Sequence, residues 1–142
     1  MDVYWANSIF GQADRTFNST GIAHLRSRGI SVVCPQELVF NTGTHKATAD
    51  EIFLTDTSLL KECDALIACL DQETIDCGVA CEIGIAWSLG KRIIGLYTDF
   101  RQDRVGDFRM YKNPYVIGCI LDRGPIVRTF DEVATILLCK QP

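Results

Sequence analysis

At its centre the chain reads Ala65-Leu66-Ile67-Ala68-Cys69-Leu70, a run without a polar residue. An apolar run of this length predicts a strand that is covered on both faces, as the strands of parallel sheets are. The next motif is Asp76-Cys77-Gly78-Val79-Ala80-Cys81-Glu82-Ile83-Gly84, which leads into a helical pattern that ends near Gly90. A buried strand followed by a helix is the first half of a β-α-β unit, so this centre predicts a parallel sheet.

The same alternation extends in both directions from the centre. We predict strands at residues 3–6, 30–34, 65–70, 92–97 and 115–121, and helices at residues 14–28, 49–63, 78–89 and 129–138. Residues 36–48 and 98–113 have the polar composition of loops. The sequence therefore predicts an α/β fold with one domain, residues 1–142. We expect a doubly wound, flavodoxin-like or Rossmann-like sheet of about five mainly parallel strands, with helices on both faces.

Composition argues against several classes of protein. The net charge of the 142 residues is −4 and no cluster of Lys and Arg stands out, so we expect no nucleic-acid partner. No apolar run approaches the roughly 20 residues of a membrane span, and the N-terminus lacks the pattern of a secretory signal. We therefore expect no membrane partner. The seven cysteines are an odd number without a CxxC pair, which fits a reducing cytoplasm and provides no zinc motif.

In a sheet of this type, ligands bind beyond the carboxyl ends of the strands. Those ends lead into residues 7–11, 35–44, 71–78 and 98–109. The first loop contains Asn7, Ser8 and Phe10 but neither GxGxxG nor a Walker Lys–Ser pair, so we predict no cofactor. Asn7 and Ser8 either donate hydrogen bonds to a ligand or only form the turn. Phe10 is a candidate for shaping a pocket.

Glu82 is the first candidate for chemistry, because its position in the helical pattern is unusual. At about 100° per residue, the polar side of this helix carries Cys81, Gly84 and Ser88, whereas Glu82 points away from that side. A carboxylate on the core-facing side of a helix is costly unless it is paired or has a task.

Three aspartates accompany Glu82. Asp71 and Asp76 bracket the loop after the central strand, and Asp76 also has the position of a helix cap. Asp56 lies on the apolar face of the preceding helix or at its edge, where a hydrogen bond to a threonine or to the backbone would also explain it. Several carboxylates without a metal motif suggest glycosidic bond chemistry, in which one attacks the anomeric carbon and another manages the leaving-group proton. Magnesium binding is a competing use of clustered aspartates.

Over residues 3–138 the chain resembles the nucleoside 2-deoxyribosyltransferase family, which includes related deoxynucleoside 5′-monophosphate N-glycosidases. The motifs that carry the resemblance are Tyr4, Asp56, the pattern Asp76-x-Gly78-x-x-x-Glu82-Ile83-Gly84, and Asn113-Pro114-Tyr115-Val116-Ile117.

The resemblance implies that Glu82 attacks C1′ of a nucleoside, displaces the base and forms a covalent deoxyribosyl ester, which a second base then attacks. It also implies that Asp76 holds the sugar hydroxyls, that Asp56 contacts and protonates the base, and that Tyr4 orients Glu82. Asn113 would reach the site of a neighbouring subunit in a homo-oligomer, a dimer or larger, with shared sites. The expected partners are a nucleoside or nucleotide and a free nucleobase. The candidate substrate-binding residues are Asn7, Ser8, Phe10, Asp71, Gly78 and Asn113.

Two features depart from the family's pattern. Asn7-Ser8 stands where Gly-Pro is common, and related monophosphate hydrolases often have Gly-Ser there, so a nucleoside and a nucleoside 5′-monophosphate both stay open. The C-terminal residues 140–142 do not match the carboxylate-bearing terminus of the transferases. Alternatives to transfer are N-glycoside hydrolysis, a non-catalytic nucleotide-binding module and a metal-dependent phosphatase.

Overall fold

The computed structural model describes residues 1–43, 46–99 and 112–139, and these residues form one five-stranded sheet flanked by helices. The strands are β1 (Asp2–Ala6), β2 (Ser31–Val33), β3 (Ala65–Cys69), β4 (Arg92–Leu96) and β5 (Ile126–Val127). The helices are α1 (Gln12–Ser27), α2 (Ala49–Glu62), α3 (Cys77–Ser88), α4 (Pro114–Arg123) and α5 (Phe130–Leu138). Short 3₁₀ turns at Pro35–Glu37 and Val39–Asn41 follow β2.

The strand order is β2-β1-β3-β4-β5, and every neighbouring pair is parallel. The order changes direction between β1 and β3, the place where doubly wound sheets bind ligands. Tyr4 of β1 lies opposite Leu66 of β3 in this register. The predicted α/β doubly wound fold is therefore confirmed, and all the observed strand pairs are parallel.

The sheet carries a hydrophobic layer on each face. On one face, Trp5 and Ile67 pack with buried residues of α1 and α5. On the other face, Tyr4 and Leu66 pack with buried residues of α2, α3 and α4. This division follows from the alternation of side chains along a strand. It decides which helices can contribute to a site around Tyr4.

Side-chain caps begin several of the helices. Thr48 and Thr129 form capping boxes with Glu51 and Glu132, and so satisfy backbone donors at the starts of α2 and α5. No helix of the described residues has the length and apolar character needed to cross a membrane.

The predicted fifth strand, residues 115–121, is wrong, because these residues form most of α4. Asn113 caps this helix, accepting from Tyr115 N at 2.9 Å, and Pro114 occupies its first turn, where proline is well tolerated. The apolar, β-branched composition of the segment had suggested a strand. The actual β5 contains only Ile126 and Val127. In the loop predicted for residues 98–113, residues 100–111 lie outside the described residues, as do residues 44 and 45 of the earlier loop.

We predict that Gly124→Ala strongly destabilises the fold, because a Cβ at this position would lie 2.0 Å from the backbone oxygen of Ile93. A clash with β4 backbone cannot be relieved by rotating a side chain, so the expected loss is about 2–4 kcal/mol of unfolding free energy. Urea denaturation measures it.

Gly118→Ala is the matched control. This exposed glycine lies in the same helix, and a Cβ there would meet no atom within 4 Å. It should stabilise the protein by about 0.5–1 kcal/mol, since alanine is the better helix former. Equal effects of the two substitutions would contradict the close approach of α4 and β4.

Candidate active site

The hydrogen bond between Tyr4 and Glu82 connects β1 to α3. Tyr4 is completely buried, and its hydroxyl donates to Glu82 Oε1 at 2.6 Å. Glu82 lies in the second turn of α3, which follows the central strand β3. Because β1 and β3 are neighbours, this contact lies against the point at which the strand order reverses.

Glu82 and Asp56 line the same cavity between α2 and α3. The cavity has a volume of about 160 Å³, and its lining consists of Phe53, Asp56, Thr57, Leu60, Gly78, Cys81, Glu82 and Ile85. Oδ1 of Asp56 is buried and has no hydrogen-bond partner among the described residues. A buried carboxylate oxygen without a partner is costly, so it is a natural contact for a bound ligand.

The environment of this cavity raises the pKa values of its two acids. Burial raises the pKa of Glu82 to about 7, the hydrogen bond from Tyr4 lowers it, and the nearby Asp56 and Asp76 raise it. Burial also raises the pKa of Asp56 to about 6. The pKa of Tyr4 is raised far above its ordinary value by burial and by Glu82, so Tyr4 stays protonated and remains a donor.

Asp76 caps α3, as one interpretation of the sequence anticipated. Its Oδ1 accepts from Gly78 N at 2.8 Å and from Val79 N at 3.3 Å. The cap fixes the first turn of the helix that carries Glu82. The charge of Asp76 also raises the pKa of Glu82, which places the two carboxyl groups within electrostatic reach of each other.

The other predicted residues do not line the Glu82 cavity. Asn7 and Asp71 line a second cavity of about 290 Å³ beside the start of α1. Asp71 also accepts from Thr98 Oγ1 at 2.6 Å, which joins the ends of β3 and β4. Ser8 is buried, and Phe10 is 83% exposed.

Asn113 is exposed, with its side-chain oxygen at the cap of α4. Of the ten candidates, the structure brings together Tyr4, Asp56, Asp76, Gly78 and Glu82.

Sequence reasoning missed a buried amide that holds the first loop. Asn18 is completely buried in α1, and it accepts from Trp5 Nε1 at 2.9 Å and from Asn7 Nδ2 at 2.8 Å. It also donates to the Ser8 oxygen at 3.0 Å and to Gln36 Oε1 at 2.9 Å. The signal was present, since Asn18 lies four residues before Ile22 on the apolar stripe of the helix.

A metal site is not formed by these acids. Within residues 1–43, 46–99 and 112–139, no group of three or more His, Cys, Asp or Glu side chains is arranged to hold a metal ion. One oxygen of Asp71 accepts a hydrogen bond from the backbone nitrogen of Thr98, and one oxygen of Asp76 accepts from that of Gly78. The arrangement at α2 and α3 is instead a partly buried pair of carboxyl groups with a tyrosine donor.

Comparisons with known proteins give this arrangement a context. A family model described as Nucleoside 2-deoxyribosyltransferase matches residues 3–116. The chain is similar to a conserved protein from Enterococcus faecalis V583, with 31% sequence identity, a TM-score of 0.83 and coverage of 95% of each chain. A comparison with curated proteins gave no match.

Two further solved structures share the fold at lower identity. A 2-deoxyribosyltransferase from Bacillus psychrosaccharolyticus has 19% identity and a TM-score of 0.68, with coverage of 94% of this chain and 90% of the other. A CMP N-glycosidase from Clostridium botulinum has 21% identity and a TM-score of 0.63, with coverage of 96% and 98%.

We predict that Asp56→Asn changes how stability depends on pH. The folded state raises the pKa of Asp56 from 3.8 to about 6, so the native state binds the extra proton and its stability falls as pH rises through this window. Asparagine cannot ionise, so the variant should gain about 1 kcal/mol relative to wild type between pH 4 and pH 8. Denaturant titrations at both pH values measure this; a difference that is constant with pH would contradict the raised pKa of Asp56 in the folded state.

Proposed function

Because the chain belongs to the nucleoside 2-deoxyribosyltransferase family, we propose that it transfers a 2-deoxyribosyl group between nucleobases through a covalent ester on Glu82. The observation that carries the proposal is the Tyr4–Glu82 hydrogen bond of 2.6 Å, which lies beside a cavity of about 160 Å³ that Asp56 and Glu82 line together. Family membership makes the protein an enzyme; the residues and steps are our proposal.

Glu82 is the proposed nucleophile. Tyr4 holds Oε1, which leaves Oε2 to attack C1′ of the deoxyribose. The new bond is the ester C1′–O, and the bond that breaks is the N-glycosidic bond to the departing base. The donor from Tyr4 stabilises the ionised carboxylate in an environment that otherwise favours its neutral form.

Asp56 is the proposed acid. Its pKa of about 6 allows the carboxyl group to carry a proton near neutral pH, and its unpartnered Oδ1 lines the cavity. The proton passes to the base as the glycosidic bond breaks. In the second half-reaction the incoming base attacks C1′, the ester bond breaks, and the proton of the incoming base returns to Asp56.

The apolar walls support a nucleobase as the acceptor. Phe53, Leu60 and Ile85 line the cavity beside Asp56 and Glu82. The flat ring faces of a nucleobase gain contact area on such walls, whereas water gains none. On the sugar side, Asp76 uses Oδ1 for its cap and keeps Oδ2 for a hydroxyl group of the substrate.

The proposal also includes a homo-oligomer in which Asn113 of one copy reaches the site of a neighbour. Exposed apolar side chains near the cavity and near Asn113 support it: Phe53 is 61% exposed, Leu54 64% and Tyr115 80%. Large exposed apolar groups of this kind are enriched at protein interfaces. A cytoplasmic role in nucleoside salvage is consistent with the cysteines, all seven of which are free.

We predict that deoxyinosine or deoxyuridine is converted to deoxyadenosine when free adenine is added, because adenine captures the sugar ester on Glu82. Chromatography of the products measures transfer directly. Base release that is indifferent to adenine would replace transfer by N-glycoside hydrolysis. Running the corresponding 5′-monophosphates in parallel decides between a nucleoside and a nucleotide.

A second experiment tests whether Glu82 is the nucleophile. A 2′-fluoro-deoxynucleoside should leave a sugar adduct on Glu82, found by peptide mass spectrometry, and Glu82→Gln should lose both the adduct and about 10³-fold or more of the rate. Glu62→Gln is the matched control, since Glu62 is exposed at the end of α2. An adduct on another residue would overturn the mechanism. Tight binding without turnover in wild type would indicate a binding module.

We predict that Tyr4→Phe moves the pH optimum upward and lowers its height. The reactive form carries ionised Glu82 and protonated Asp56, with pKa values of about 7 and about 6, so kcat/KM should be greatest between these pH values. Removing the Tyr4 hydrogen bond raises the pKa of Glu82, so the reactive form becomes rarer, about ten-fold for each pKa unit.

The measurement is a kcat/KM profile from pH 5 to pH 9, with thermal unfolding as a check that the variant is folded. The alkaline limb should extend by about one pH unit, as expected for the loss of a hydrogen bond to a charged group. A profile that keeps its position, or that moves to lower pH, would contradict this role of Tyr4.

A further inference from the structure

Two exposed thiols lie on the same side of the first turns of α3. Cys77 is the first residue of the helix and Cys81 follows four residues later, and both are exposed. Helical residues four apart are neighbours on the surface, with Cβ atoms about 5–6 Å apart. The sequence positions alone therefore place the two sulfur atoms within reach of one shared ligand atom.

Cys81 also belongs to the candidate active site. It lines the same cavity as Asp56, Gly78 and Glu82, and it directly precedes the proposed nucleophile. The mechanism above assigns no step to either thiol. A group attached to Cys81 would occupy space that a nucleobase needs.

The other five cysteines differ in burial, and Cys119 of α4 is half-buried. Cys34, Cys63 and Cys69 are buried, and burial raises the pKa of their thiols to about 11, 11 and 12. Neutral, buried thiols react slowly with electrophiles. Cys139 is exposed and lies just beyond α5, far along the chain from the cavity, so it provides an internal control.

We propose that Cys77 and Cys81 form a dithiol site for soft, thiophilic centres, of which trivalent organoarsenicals are the chemical probe, and that its occupation blocks the cavity. The blocking of turnover rests on the proposed function, whereas the binding of the probe does not. With phenylarsine oxide, two As–S bonds form and two S–H bonds break. The oxygen leaves as water with both protons, and the arsenic remains trivalent, so no oxidant is needed.

The helix geometry favours a bridging atom over a direct disulfide. A disulfide brings the two Cβ atoms to about 3.5–4.5 Å, which is closer than residues four apart on a regular helix. Forming it would unwind the first turn, including the cap that Asp76 provides to Gly78 and Val79. In the arsenical complex two As–S bonds join the sulfur atoms in place of one direct S–S bond. The link is therefore longer and fits the helix without that disruption.

The test uses the full, reduced chain with phenylarsine oxide, and reads the mass of the protein and of its peptides after removal of free reagent. We expect one arsenical that joins the peptides of residues 77 and 81. Cys77→Ser and Cys81→Ser should each bind about 100-fold more weakly, because the second As–S bond is intramolecular only when both thiols are present. Cys139→Ser should bind as wild type does.

A second arm places the site at the cavity. N-ethylmaleimide should label Cys81 more slowly when adenine or deoxyinosine is present, whereas labelling of Cys139 in the same sample should not change. The arsenical complex should lose base release, and a dithiol should restore it.

Equal binding of the probe by either single-serine variant overturns the dithiol site. Full base release by the arsenical complex, or an unprotected Cys81, overturns its place at the cavity. If no substrate is turned over at all, the proposed function fails, while the adduct masses still decide the dithiol site.

Discussion

A short hydrogen bond from a buried tyrosine to a carboxylate organises the functional end of this protein. Tyr4 can reach Glu82 at 2.6 Å only because β1 is adjacent to β3 and because α3 starts soon after β3 ends. The cap by Asp76 fixes where that helix starts, and therefore which face Glu82 presents. The position of the proposed nucleophile is thus a consequence of strand order, which is a tertiary feature, and of helix capping, which is local in the sequence.

On the opposite face of the sheet, hydrogen bonds to the buried side chain of Asn18 hold the first loop. Side chains alternate along β1, so Tyr4 faces α3 whereas Trp5 faces α1, where its indole donates to Asn18. Asn7 has the same parity as Trp5 and also donates to Asn18. The first loop therefore supports a second cavity with Asp71 and lies apart from the lining of the Glu82 cavity.

Much of this could be predicted from the sequence, for identifiable reasons. The buried run of β3 and the helical spacing of Glu82 and Asp56 are local signals, and the resemblance to a family added Tyr4. The strand predicted for residues 115–121 is wrong, since an apolar segment of seven residues fits a strand and a helix equally well. The preceding Asn-Pro pair, which begins a helix, distinguishes the two. The hydrogen bonds of Asn18 with Trp5 and Gln36 could not be predicted from the sequence, because they join three elements whose packing no local pattern specifies.

The proposed chemistry explains why two carboxyl groups lie in one cavity, although placing them there costs folding stability. Glu82 and Asp56 are partly buried and line one cavity, and the charge of Asp56 raises the pKa of Glu82, so ionisation of both carboxyl groups together is disfavoured. Glycosyl transfer requires one ionised nucleophile and one protonated acid. Even with the Tyr4 hydrogen bond in place, the pKa of Glu82 (about 7) is higher than that of Asp56 (about 6), so in the ligand-free protein the proton prefers Glu82. The Tyr4 hydroxyl opposes this preference by stabilising the ionised glutamate, and a base bound against Oδ1 of Asp56 would favour the proton there. In the proposed mechanism Tyr4 contributes by biasing the location of one proton, a role that its burial, its raised pKa and its place on a central strand support.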